Sequence, residues 1–488
     1  MGIMTKEQYH ESLKELNPVV YVGGKRLENA AFSPYLRTSL NNMSLGYEWA
    51  NDPKYKDLVT YDSELAGEKI SFWNNVMTCP EDCLRFVKVI NTFCSKYLCA
   101  MCMITGQAAM WAATWDIDQA KGTNYHKRFK EFYKSVQQKD QRFTMGVMDP
   151  KGDRKQPPSK QEHSETYLRI VEKRKDGIVI RGAKAHTTSA PIAHWFIGTP
   201  CRALDVEDAD CALAFACPID EKGLSFIMRP AAGPLERKEY ESPVSGKIGF
   251  VECLSIFDNV FIPWERVFMC GEWEHTDKFI QYFGANVRLA KGACVAARTE
   301  LIAGVTSAVA DYNGVAGANH VKGKVTDMII DSQIGYGCAT AAATLAKMHP
   351  SGICFPDVMV GNAGLYNTRL RYVHHLGVMH EIAGGIVTTM PGEKDFTSEE
   401  YGEMVQKIMA GKNGTSPEER YRMLHMIQDF TASHMAGYMV SNAICAGGTP
   451  ETNRVECFRN YDIKQRYNQA KVLANIKEDP DGYWHNLK

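Results

Sequence analysis

The 488-residue sequence has almost no net charge: 56 Lys and Arg stand against 57 Asp and Glu, a formal −1. It has no long basic run either, which removes the electrostatic footprint of a nucleic-acid or anionic-membrane binder. No stretch of 18 or more apolar residues offers a membrane span. The opening MGIMTKEQYHESLKELN lacks an apolar core and a small-residue cleavage site, so no export signal is expected, and Lys6 breaks the myristoylation pattern. There is no internal repeat and no low-complexity segment. No G-x-G-x-x-G follows a strand pattern, and no P-loop, H-E-x-x-H or G-x-S-x-G occurs. A nicotinamide dehydrogenase, a kinase and a serine hydrolase therefore lose their defining strings. HHLGVMHE (374–381) resembles a zinc site, but His375 and His380 are five apart and diverge on a helix.

Cysteine, in contrast, is abundant. The fifteen are odd in number and spread from Cys79 to Cys457, which argues for a reducing cytoplasm rather than a disulfide framework. YLCAMCMITGQ (97–107) holds Cys99 and Cys102, with Cys94 just upstream. Three thiols in nine residues read either as a ligand arm or as the small-residue face of a buried helix.

Texture changes twice along the chain. Up to about 145 it is helical: in YHKRFKEFYKSVQQKD, Tyr125, Phe129, Phe132, Tyr133 and Val136 recur at helical spacing, with Thr123 or Asn124 to cap. From about 146 to 278 strands take over. LRIVEKRKDGIVIRGAKA places β-branched runs around a turn at Asp176-Gly177, and CALAFACPIDEKGLSFIMRP repeats that design around a longer turn. VECLSIFDNVFIPWERVF reads as two strands about Asp258-Asn259, stopped by Pro263. From 279 helices return, with a stripe of Val287, Ala290, Cys294, Ala297, Leu301, Val305 and Ala308 ending at Asn313-Gly314. The partition is 1–145 helical, 146–278 β, and 279–488 helical.

Three polar strings sit at special places. MDPKGDR (148–154) is a turn that offers backbone N–H groups, carboxylates and a guanidinium. AKAHTTSA (183–190) ends a strand with His186, Thr187 and Thr188, and HEIAGG (380–385) sets paired glycines after a helical run.

Taken in order, EQYHESLKELNPVVYVGGKRLEN, IDQAKGTNYHKRF, MDPKGDR, LRIVEKRKDGIVIRGAKAHTTSA, FDNVFIPWERVF, ADYNG and EIAGG resemble the 4-hydroxyphenylacetate 3-hydroxylase / 4-hydroxybutyryl-CoA dehydratase flavoprotein superfamily, and most of all its dehydratase branch. The resemblance implies an α+β, acyl-CoA-dehydrogenase-like fold: an N-terminal helical domain, a central β barrel or sandwich, and a C-terminal four-helix bundle. It also implies a cytoplasmic homotetramer with FAD held partly across subunit interfaces. The family's flavin contacts would fall on Asp149, Lys151, Gly152, Asp153 and Arg154, on His186, Thr187 and Thr188, on Asn313 and Gly314, and on Glu381, Ile382, Ala383, Gly384 and Gly385.

The departures are specific. The dehydratase branch binds a [4Fe–4S] cluster, yet its two N-terminal cysteine positions fall on Tyr97 and Met101, its histidine on Val287, and only its last cysteine survives, as Cys294. A slipped register would recruit Cys99 and Cys102 with Cys294, leaving three thiolates and an open fourth position; the alternative is thiols packed as core. No cluster is expected. The branch's catalytic tyrosine falls on Lys291, and Glu252 matches a carboxylate it keeps near its active site. Both are candidate bases, set against an outward-facing strand glutamate and a snorkelling lysine. The hydroxylase branch's phenol-binding residues become Gln107, Trp111 and Met145. Three functions follow: an FAD enzyme acting at Cα–Cβ–Cγ of a small activated acid such as an acyl-CoA, by dehydrogenation, isomerisation or cluster-free elimination; a two-component monooxygenase fed by a separate flavin reductase; or a catalytically silent FAD-binding subunit. The first would pass electrons to an electron-transfer protein.

Overall fold

The computed structural model describes residues 2–96, 98, 106–230, 234–236 and 238–484, so Tyr97, Cys99, Met101 and Cys102 lie outside the described residues. Helix α1 (Lys6–Lys14) opens with a Thr5–Gln8 capping box. Gly23 and Gly24, at φ 56° and 77°, join β1 (Val19–Val22) to β2 (Lys25–Arg26) in a tight hairpin. Then come α2 (Arg37–Asn51), α3 (Lys56–Val59), a ribbon of β3 (Thr60–Ser63) and β4 (Glu68–Ser71), α4 (Pro80–Cys94), α5 (Gly106–Lys121) and α6 (Tyr125–Gln138). The amphipathic pattern at 125–136 is thus a helix. Asn124 holds the N-cap position as expected, but its side chain makes no capping bond; instead the Asp118 carboxylate accepts from the N–H groups of Tyr125 and His126 at 2.8 and 2.9 Å.

The middle of the chain supplies β5 (Phe143–Gly146), β6 (Arg169–Lys173), β7 (Gly177–Thr188), β8 (Trp195–Gly198), β9 (Leu213–Pro218), β10 (Leu224–Met228), β11 (Glu252–Pro263) and β12 (Val267–Cys270). They form a six-stranded sheet, β2-β1-β10-β11-β7-β6, and a four-stranded one, β12-β9-β8-β5. Phe196 and Phe215 from the smaller sheet meet Phe226 and Phe257 from the larger, so alternate apolar residues close the space between layers.

Several boundaries differ from the sequence pattern. The division at 145 falls inside β5, and the β1–β2 hairpin joins the large sheet because VVYV pairs in parallel with β10. The β6–β7 hairpin turns at Lys175-Asp176, one residue early, closed by Arg174 N–H on the Gly177 carbonyl at 2.8 Å. Asp258-Asn259 is no turn: Asn259 adopts φ 53° within one continuous β11 and makes a bulge against β7. Strands β9 and β10 do not pair; their connection crosses between sheets.

The rest is helical: α7 (Thr276–Tyr312), α8 (Asn319–Thr344), a short β13 (Lys347–Met348) and β14 (Cys354–Phe355) ribbon, α9 (Val358–Ala383), α10 (Glu393–Phe396), α11 (Gly402–Ile408), α12 (Pro417–Thr431), α13 (His434–Cys445), α14 (Pro450–Asn460) and α15 (Ile463–Leu473). Helix α7 begins at Thr276, ahead of the division at 279, and packs against α4, α5, α8 and α9. It is not a one-faced stripe: every residue from Gly284 to Thr299 is buried, Lys291 and Arg298 included. It is long and apolar enough to cross a membrane, yet most of its apolar window is covered by protein, as in a core helix.

Candidate active site between barrel and bundle

The β7–β11 ladder sets Glu252 opposite Thr188 and Cys253 opposite Thr187. Glu252, the first residue of β11, is half-buried, and its Oε1 accepts from Thr188 Oγ1 at 2.7 Å and from the Tyr438 hydroxyl at 2.9 Å. Tyr438 lies on α13. One turn further on, Asn442 donates Nδ2 to the Tyr438 oxygen at 3.5 Å and accepts at Oδ1 from Lys291 Nζ. Lys291 is completely buried. The two candidate bases, 39 positions apart in sequence (291 − 252), are therefore the ends of one hydrogen-bonded chain from β11 through α13 to α7. Sequence reasoning missed Tyr438 and Asn442. Their i, i+4 spacing puts them on one helix face, but nothing in the string says what that face meets.

The turn at 148–154 adjoins this chain. Ala185 N–H donates to the Met148 carbonyl at 2.7 Å, and Lys184 Nζ stands 2.6 Å from Asp149 Oδ1. Lys184 also donates to the carbonyls of Val147 (3.2 Å) and Thr199 (2.8 Å). Asp149 is thus a buried fastener, not an open ligand contact. The Thr187 hydroxyl likewise turns inward, to the Cys253 carbonyl (2.9 Å) and Ser255 Oγ (2.8 Å). The open side of the turn is different. Lys151 and Gly152 both adopt positive φ, 81° and 51°, and a Cβ on Gly152 would meet Gln161 Oε1 at 2.2 Å. Asp153 and Arg154 are exposed, as is His186, at φ 58°. Desolvation and then the Lys151 charge hold the His186 imidazole below its ordinary range. Gln161 and Thr166 fill the space over Gly152, so the exposed, basic Arg154 and the neighbouring Lys151 and His186 are what this rim offers a phosphorylated or polyhydroxylated group such as a flavin's ribityl pyrophosphate.

The remaining expected contacts meet each other elsewhere. Asn313 donates Nδ2 to the Ile382 carbonyl at 3.2 Å and accepts at Oδ1 from Arg420 Nε at 2.9 Å. Gly314 and Gly384 take φ 73° and 78°, and Glu381 pairs with Lys324. This joins Asn313-Gly314 to the Glu381–Gly385 segment at the far end of α7. From Lys291 to Asn313 is 22 residues (313 − 291), about 33 Å of helix. The second group of expected flavin contacts therefore lies about 33 Å along α7 from Lys291.

Of the thiols singled out in the sequence, the two described ones, Cys94 and Cys294, are core. Cys294, on α7, lies against Cys94 of α4, with Arg298 and Lys291 close by. Burial, then Cys294, pushes the Cys94 thiol well above its usual range. Val287 presents only methyls, packed so closely that a Cβ on Gly447 would come within 3.0 Å. Val287 offers no ligand atom, and among the described residues no group of three His, Cys, Asp or Glu could hold a metal; Cys99 and Cys102, the other candidate ligands, lie outside the described residues. Gln107 is buried and donates to the Asn75 (2.9 Å) and Trp73 (3.3 Å) carbonyls, while the Trp111 indole N–H donates to Ser351 at 3.1 Å. Met145 fills the space beside Gly106.

Two packed β sheets and a helical bundle whose junction holds a carboxylate, a phenol, an amide and a lysine amine in one hydrogen-bonded chain define an α+β protein. The chain belongs to the 4-hydroxyphenylacetate 3-hydroxylase family, matching its N-terminal part over residues 5–269 and its C-terminal part over 276–475. It is 34% identical over 490 residues to the 4-hydroxybutyryl-CoA dehydratase/vinylacetyl-CoA-Δ-isomerase of Clostridium aminobutyricum, spanning 97% of this chain and 100% of that one. The oxygenase component of 4-hydroxyphenylacetate 3-monooxygenase from Thermus thermophilus is 28% identical over 88% of each chain. In structure it is similar to the oxygen-tolerant 4-hydroxybutyryl-CoA dehydratase of N. maritimus, with a TM-score of 0.92 at 30% identity over 98% of this chain and 96% of that one.

Proposed function

We propose that this protein is an FAD enzyme acting at Cα–Cβ–Cγ of a small acyl-CoA, by dehydrogenation, double-bond isomerisation or an elimination that uses no iron–sulfur cluster. The observation that carries this reading is the Glu252 carboxylate, hydrogen-bonded by Thr188 and Tyr438 at the barrel–bundle junction and linked to the buried Lys291. Two relatives of 34% and 30% identity are named for action on 4-hydroxybutyryl-CoA, which supports the thioester. A thioester acidifies its α-proton; Glu252 is the group to accept it, and Lys291 is tied to it through Asn442 and Tyr438. When bound, the flavin would supply a hydride or electron acceptor for the adjacent carbon. Lys151–Arg154 and His186 would hold its polar chain. The cluster at Asn313 and Glu381–Gly385 would complete the site of a neighbouring subunit, since it lies about 33 Å along α7 from Lys291. A homotetramer is supported by exposed Ile329, Ile330 and Ile334 on α8 and Leu370 and Val373 on α9, and by α15, which has no buried residue. Phenol hydroxylation is disfavoured, because Gln107, Trp111 and Met145 are committed to the protein itself.

The test is an absorption spectrum of anaerobically purified protein with iron and sulfide assays, followed by crotonyl-CoA and 4-hydroxybutyryl-CoA in D₂O. Flavin bands without the brown shoulder near about 400 nm, and deuterium at the substrate α-carbon, are expected. Protein that stays colourless after incubation with FAD overturns the reading. Flavin that responds to phenols and not to thioesters moves it to the monooxygenase.

A further inference from the structure

We propose that Tyr438 and Asn442 are positioning residues through which the Lys291 ammonium orients and holds the Glu252 carboxylate. The direction of every hydrogen bond in the chain follows from its last member. Lysine has only N–H donors, so the Asn442 group facing Lys291 Nζ is its carbonyl oxygen, Oδ1. The Asn442 amide nitrogen must then face Tyr438, and an amide NH₂ can only donate, so the Tyr438 oxygen is the acceptor at 3.5 Å. With its oxygen engaged, the Tyr438 proton points to Glu252 Oε1 at 2.9 Å. Thr188 Oγ1 donates to the same oxygen at 2.7 Å. All donors run from the cation toward the carboxylate. An acceptor of two hydrogen bonds on one oxygen is favoured as the anion, the form a base needs before it meets substrate.

The surroundings fix the relay in place. The Tyr438 ring stacks on Phe250, with centroids 5.5 Å apart at 25°, and the Arg229 guanidinium lies 5.7 Å from its centroid. The Ser433 side chain caps α13 by accepting from Ala436 N–H at 3.0 Å. Among the described residues, the titratable and charged groups around the chain include Arg229 over Tyr438, Cys253 beside Glu252, and Cys94, Cys294 and Arg298 near Lys291. The catalytic meaning of the relay rests on the reading of Glu252 as a base; its existence does not.

The experiment therefore reads Glu252 without substrate. Isotope-edited infrared difference spectra of the flavin-loaded, full-length protein, with Glu252→Gln as the blank, follow the protonated carboxyl against pH. Tyr438→Phe keeps the ring stack and removes only the hydroxyl; it should raise the Glu252 midpoint by about 1 pH unit or more. Asn442→Leu and Lys291→Met should raise it in the same direction, and Tyr438→Phe combined with Lys291→Met should add little to Tyr438→Phe alone. A midpoint unmoved in Tyr438→Phe overturns the proposal, as do shifts that add in full. Asn442→Leu reads the same coupling from the other end should Tyr438→Phe fail to accumulate. Absence of acyl-CoA exchange in the wild type would sink the substrate reading and leave these spectra to stand alone.

Discussion

Lys184 Nζ lies 2.6 Å from Asp149 Oδ1, with side-chain exposures of 3% and 6%. This ion pair ties the turn that carries Lys151–Arg154 to the strand that carries His186–Thr188, so it holds the open rim of the candidate site in shape. Lys184→Met leaves the carboxylate buried without its cation and should cost about 3–5 kcal/mol. A thermal melt should show the loss, with flavin released earlier than in the wild type. Asp149→Asn in the same chain should restore part of it.

Glu252→Gln should leave melting temperature and flavin content near wild type and lower α-proton exchange by about 10²–10⁴-fold. Lys291→Met should lower exchange too while perturbing packing more, because a fully buried lysine is replaced on the most enclosed helix. Exchange at wild-type rates in Glu252→Gln, followed by NMR in D₂O, would place the base elsewhere.

Asp140 and His194 predict opposite pH limits to stability. Burial raises the Asp140 carboxyl to about 7, although Ser71 Oγ and Met4 N–H both donate to it. Its contribution is complete below about pH 4, where the unfolded carboxyl is also protonated, and is lost as pH rises through about 7. Burial lowers the His194 imidazole to about 4. That contribution is complete above about pH 6.5 and is lost as pH falls through about 4. Asp140→Asn should remove the fall in stability that Asp140 causes between about pH 4 and 7, leaving the rise from His194 over nearly the same range.

Ile330→Arg with Ile334→Arg puts two charges on the exposed apolar face of α8. Light scattering should then report a smaller particle than the wild type, and flavin should be lost with it, if neighbouring subunits complete one another's sites. Full flavin retention in a monomeric variant would refute the shared site.

Much of the architecture was legible because period and punctuation agreed: the helix at 125–138, a β-rich middle of the chain, and a long helix ending near Asn313-Gly314 all appear. The misses have definite causes. VVYV is too short to announce a strand by alternation, yet its two following glycines adopt the positive φ that a tight hairpin demands. Asn259 reaches positive φ as cheaply in a bulge as in a turn, and only the β7 partner selects the bulge. Asp149 and Thr187 are polar residues in ligand-like strings, but whether a carboxylate or hydroxyl faces a cleft or a strand neighbour depends on the second sheet and on Lys184.

Residue type and local order by themselves determined the succession of helical, β and helical regions, since side-chain periodicity and backbone preferences act over a few residues. They also determined the family. Tertiary structure decided which polar groups act together. Glu252, Tyr438, Asn442 and Lys291 come from three elements far apart along the chain, and hydrogen bonds are short and directional, so only the docking of α13 between β11 and α7 could bring them to bonding distance.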